Sequence, residues 1–143
     1  ITPRIDSASF ACAKTPPIAG CLLVCAQCEA IARTLSDEQY TTRLGGKASI
    51  GEHLRHCLEH FSQWLDGVDA GVIDYDSRRR NVLLEQSRSV FLSASRDIGN
   101  RLSVFEERDM KRAITVRMLF TPDMEPVEVA STLGRELGFL STH

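Results

Sequence analysis

The stretch Ser49–Phe61 constrains this chain more than any other, because two periodicities coincide in it. Apolar residues recur at Ile50, Leu54, Cys57, Leu58, Phe61, Leu65 and Val68, the spacing of one face of an amphipathic helix. Three of the four histidines, His53, His56 and His60, fall on the same helix. Ser49 with Glu52 three residues later reads as a capping box, and Gly67 with Gly71 reads as the stop, which predicts a helix over 49–66. Imidazoles at i, i+3 and i+7 share one side of such a helix, and neutral imidazole is the commonest metal ligand near neutral pH. The competing reading is three surface or half-buried histidines that bind nothing.

Three further helices are predicted around it. Residues 18–35 carry Ile18, Cys21, Leu22, Cys25, Cys28, Ile31, Ala32 and Leu35 at helical spacing, with one further turn to Tyr40 after the Ser36 cap. Leu84, Phe91, Ile98 and Phe105 repeat every seven residues, which predicts one helix over 81–106, on the order of 37 Å long. Leu133, Leu137 and Leu140 predict a last helix over 131–143. Between the last two, β-branched residues over 113–119, turn chemistry at Thr121–Pro122–Asp123 and alternation at Val127–Val129 predict a small hairpin. Residues 1–17, with three prolines and no period, read as an arm, and 70–81 as a polar loop. Stripes this pronounced must be buried against one another, so the expected fold is all-α, a four-helix bundle with a β-hairpin before the last helix, in a single domain over 1–143.

Composition narrows the functional classes. A net charge of −2, with Arg78–Arg79–Arg80 as the one basic block, argues against a general nucleic-acid binder. No apolar run approaches the roughly 20 residues of a membrane span. No secretory signal pattern is seen at the start. Five cysteines, an odd number with three of them on the first helix, point to a reducing cytoplasm rather than a disulfide framework. The sequence starts at Ile1 and stops within a helical pattern at His143, which reads as a piece of a longer protein.

Cys21, Cys25 and Cys28 have the C-x3-C-x2-C spacing of radical S-adenosylmethionine enzymes, but they lie on an apolar helical stripe rather than a loop where three thiolates can converge. They are expected buried and reduced, as small hydrophobes. Cys57 beside His56 suggests a nucleophile pair, but adjacent helical residues do not face each other, and Cys57 on the stripe is expected in the core. In 74–80, Tyr75, Asp76, Arg78, Arg79 and Arg80 are candidate substrate-binding residues, an Arg being suited to a carboxylate. The competing readings are a solvated loop, with Asp76 capping the third helix.

The stretch Ser49-Ile50-Gly51-Glu52-His53-Leu54-Arg55-His56-Cys57-Leu58-Glu59 resembles the second-helix motif of the DinB-like (DinB/YfiT) metal-binding superfamily. Arg135–His143 resembles the start of that family's last helix, and Asp74-Tyr75-Asp76 with its arginines resembles the loop after helix two in one bacterial branch. The resemblance implies an up-down-down-up four-helix bundle, a homodimer, and a divalent metal (zinc, nickel or iron) held by three histidines. The first ligand falls on His56 and the second on His143; the third falls one turn beyond His143, past the sequence given. His60 and His53 are the alternatives, and periodicity alone ranks them above His56. The resemblance further implies thiol-S-transferase, isomerase or hydrolase chemistry on a low-molecular-weight thiol, or else a non-catalytic metal-binding or stress-associated role. A bundle whose histidines bind nothing is a third reading.

Overall fold

The computed structural model describes residues 15–77 and 80–142. Of the arm expected over 1–17, residues 1–14 lie outside them, and Pro16 and Pro17 begin the first helix. Within them the chain is mostly helical, with a small three-stranded mixed sheet. The elements in order are α1 (Pro16–Thr34), α2 (Asp37–Thr41), α3 (Ile50–Ala70), β1 (Val72–Asp74), α4 (Val82–Gln86), α5 (Arg88–Ser103), α6 (Glu107–Met110), β2 (Ala113–Met118), β3 (Val127–Thr132) and α7 (Leu133–Thr142).

The stripe of α1 is buried as its spacing requires. Ile18, Cys21, Cys25, Cys28 and Ala32 all point inward, the three cysteines reduced, and α1 packs on α5 and α7. α3 lies against α4, α5, α7 and β1 and contributes Leu54, Leu58, Phe61, Trp64 and Leu65 to the same core. Full burial of a Leu or Phe side chain stabilises by about 1.5–3 kcal/mol, so these two stripes are a large part of what holds the helices together. Trp64, with no exposed surface, donates its indole N–H to the Leu133 carbonyl at 3.2 Å and meets Phe105 edge-on.

Both caps predicted for α3 form, but the helix is longer than 49–66. Ser49 and Glu52 close the capping box, and the chain passes through Gly67 to end at Gly71, whose φ of 80° is left-handed. Gly67 is needed for space rather than for a stop. A Cβ there would lie 2.4 Å from Ile73 Cγ1 and 3.0 Å from Ile73 Cα. The close approach lets β1 return across α3.

Two further expectations are corrected. The single helix over 81–106 is broken at Ser87, which takes an extended conformation. The seven-residue period continues across the break, with Leu84 and Phe91 both buried, so periodicity could not reveal it. The break is held from outside. Ser87 Oγ accepts from Val90 N, and Arg88 reaches α1 to donate to the Leu35 carbonyl at 2.6 Å and to Asp37 at 3.0 Å. The fold is also not all-α with a lone hairpin. β2 and β3 pair antiparallel, as predicted, with Val116 opposite Val129, but β1 adds to β2 in parallel, with Ile73 opposite Val116. Three residues inside a polar loop carry too little pattern to read as a strand.

Two outcomes follow. Gly67→Ala is expected to destabilise by about 1–3 kcal/mol through overpacking on Ile73, read as a lower urea midpoint at unchanged helicity. Glu52 is held at about 2, below its usual 4.5, first by the hydrogen bond from Arg43 and then by the Ser49 N–H. A depressed carboxylate stabilises fully above its unfolded value, and that stability is lost as pH falls. The thermal midpoint should therefore drop between about pH 4.5 and 2, and Glu52→Gln should flatten part of that drop.

Candidate functional site

The capping box sets where each histidine of α3 points. His53 and His56 are exposed, and His60 is half-buried. His56, Cys57, His60 and Phe61 form one wall of a cleft of about 430 Å³, Val24 of α1 and residues 139–142 of α7 forming the others. That volume suits a small organic molecule. His53 is not among the lining residues.

The His56 and His60 rings meet edge-on with centroids 4.5 Å apart. His60 Nδ1 lies 2.7 Å from the His56 carbonyl oxygen. A carbonyl cannot donate, so Nδ1 carries a proton, and in the neutral ring Nε2 is the nitrogen left to ligate. The donor chemistry thus fits a borderline divalent ion as far as two imidazoles can. Among the described residues no group of three His, Cys, Asp or Glu side chains is arranged to hold a metal. His143 lies outside them.

Of the loop residues, the structure brings Tyr75 to this region. Its ring lies 6.2 Å from that of His60, and its hydroxyl donates to Glu136 Oε2 of α7 at 3.3 Å. Burial, then the Glu136 charge, pushes the phenol well above its usual value, so it stays a proton donor. Asp76 and Arg80 are exposed and do not line the cleft. Asp76 does not cap a helix: its carboxylate accepts from Leu119 N at 3.2 Å and ties the loop to the end of β2, while Asn81 caps α4. Arg78 and Arg79 lie outside the described residues.

Cys57 corrects the sequence reading. It is exposed on the cleft rather than in the core. Position 57 sits on the flank of the stripe, between the buried Leu54 and Leu58 side of α3 and the cleft. Interaction with the Cys28 thiol of α1 first, then the His53 charge, holds the Cys57 thiol below its usual value, and Cys28 is pushed up correspondingly. Burial raises Cys21 and Cys25 to about 12.

Sequence reasoning also missed a polar network. Glu59, only 5% exposed, accepts from Arg55 at 2.8 Å and from Asn81 N at 3.1 Å, and Arg55 donates to Glu85 at 2.6 Å. The i, i+4 spacing of Arg55 and Glu59 was its one visible sign. Glu59 borders a larger cleft of about 650 Å³, but its carboxylate is already engaged, and no imidazole or thiol lines that cleft.

The sequence profile of the DinB superfamily matches residues 25–143. The chain belongs to the DinB superfamily. No curated protein and no solved structure matches it. The DinB match covers the second half of α1 and everything after it, so the lining of the His56–His60 cleft lies inside the matched region except for Val24. No described helix is long and apolar enough to cross a membrane.

The thiols give a measurable outcome. In metal-free protein, Cys57 should be alkylated by iodoacetamide at a lower pH than an ordinary thiol, while Cys21 and Cys25 stay unmodified at neutral pH. His53→Ala should move the Cys57 midpoint upward. Mass-spectrometric rates across a pH series read all three.

Proposed function

We propose that this DinB-superfamily chain binds a divalent metal at the His56 end of the cleft and acts on a small molecule, a low-molecular-weight thiol being the favoured class. The observation that carries the reading is the His56–His60 pair, two imidazoles in ring contact on a cleft whose opposite wall is the end of α7. The ligands would be His56 and His143, with a third imidazole one turn beyond. His60 is the nearest described alternative, and His53, outside the cleft, the more distant one. In this reading α1, α3, α5 and α7 are the members of an up-down-down-up bundle. Zinc, nickel and iron all suit such donors.

A bound divalent ion with an open position lowers the pKa of a thiol or water on it. The chain's own residues do the rest. Phe61, Val24 and Phe139 give the cleft an apolar lining for the organic part of a substrate. Tyr75, whose hydroxyl donates to Glu136, sets its ring beside His60. Arg78 or Arg79, rather than Arg80, would meet a substrate carboxylate. A non-catalytic metal-binding role is supported by the same imidazole pair and differs only in lacking turnover.

The test is calorimetric titration of the untagged chain with zinc and nickel, alongside His56→Ala, His60→Ala and His143→Ala. His56→Ala should weaken binding at least tenfold at unchanged helical signal, because His56 is exposed and the Leu54, Leu58 and Phe61 stripe is untouched. Undiminished affinity in that variant overturns the ligand assignment. A thiol-conjugation screen on the loaded protein then separates the catalytic role from the non-catalytic one.

A further inference from the structure

A second, smaller cavity of about 220 Å³ lies between the sheet and α7. The strand register explains its apolar side. Val116 of β2 stands opposite Val129 of β3, and side chains alternate along each strand, so Val116, Met118 and Val129 share one face of the sheet. The packing covers that face in part. Val116 is buried, but Met118 and Val129 keep 40% and 37% of their surface exposed, and Phe139 of α7, on the same cavity, keeps 52%.

The start of α7 gives the cavity its charged side. Arg135 and Glu136 both line it, opposite in sign. Successive helical residues do not face each other, so the two do not neutralise one another. Among the described residues neither is in an ion pair, and the hydrogen bond to the Glu136 carboxylate is the one from the Tyr75 hydroxyl, to Oε2 at 3.3 Å. A carboxylate has about four acceptor sites, so Glu136 keeps capacity for a further donor. Ser131 adds a buried hydroxyl that has no partner among the described residues.

We propose that this cavity binds a free α-amino acid with an apolar side chain. An apolar hollow bordered by one cation and one anion matches a zwitterion carried on an apolar body. The ligand's side chain packs on Val116, Met118, Val129 and Phe139, its carboxylate meets Arg135, and its ammonium meets Glu136. The planar guanidinium suits a carboxylate's two oxygens. A simple carboxylate would set like charge against Glu136, and a simple amine would set like charge against Arg135, so both are disfavoured. Phe139 also lines the His56 cleft, but no imidazole or thiol lines this cavity. Binding here needs no metal and stands apart from the ligand assignment above.

The experiment titrates chelator-washed, untagged protein calorimetrically with L-leucine, then with isocaproate and isoamylamine, which keep the apolar part of leucine and lack one charged group each. Leucine should bind, and each analogue should bind about tenfold more weakly, as the loss of one charge-assisted contact predicts. Arg135→Gln should weaken leucine without weakening isoamylamine, and Glu136→Gln should weaken leucine without weakening isocaproate. Methyl NMR should place the shifts at Met118 and Val129 rather than at Val24 of the histidine cleft. The proposal is overturned by leucine that does not bind, that binds no better than either analogue, that is indifferent to Arg135→Gln, or that shifts Val24 and not Val129. If a variant fails to fold, judged by circular dichroism, the wild-type affinities and shift map still decide.

Discussion

The placement of the cleft depends on how Trp64 is buried. Its ring fills the space between α3 and the segment that begins α7, and its N–H would be an unpaired buried donor but for the Leu133 carbonyl. Leu133 N in turn donates to the Arg112 carbonyl, so the same residue joins α3, the end of α6 and the start of α7. With its start anchored, α7 runs along α1 and α3 and brings residues 139–142 opposite His56 and His60. The histidines themselves do little to hold the helices, since two of the three on α3 are exposed. Packing positions this site, and its chemistry is left accessible.

Much of the architecture was legible because burial imposes a period. The stripes of α1 and α3 name their own core residues, and the Ser49–Glu52 box starts α3 where the spacing says. Three features were not legible, each for a physical reason. The break at Ser87 keeps the period and is held by Arg88, a partner visible only in three dimensions. β1 is short and lies in a polar loop, so no alternation announces it. Cys57 lies at the edge of the stripe where α3 faces the cleft, and a cleft between helices leaves no mark in the pattern of one helix.

The site itself was legible in kind more than in arrangement. The sequence singles out the histidines of α3, and the structure brings His56 and His60 together and leaves His53 outside the cleft. The resemblance drew attention to Tyr75, Asp76 and the arginines as one group. The structure separates them: Tyr75 turns to His60 and Glu136, whereas Asp76 fastens its loop to β2. Adjacent residues in an irregular segment point different ways, so a shared motif does not make a shared function.

The parallel pairing of β1 with β2 has a consequence for the order of assembly. β1 follows directly on α3, but its partner comes only after α4, α5 and α6. Joining them closes a long loop, whose entropy must be offset by contacts that form at the same moment. Helices α1 and α3 have local turns to nucleate on, and the β2–β3 hairpin is also local. The stretch before Tyr75 rests locally on α3, through Gln63 donating to the Asp74 carbonyl, but its sheet pairing waits for the distant hairpin. The β1–β2 pairing beneath Tyr75 is therefore the most non-local contact in the sheet, and its loss would leave β1 held by α3 alone.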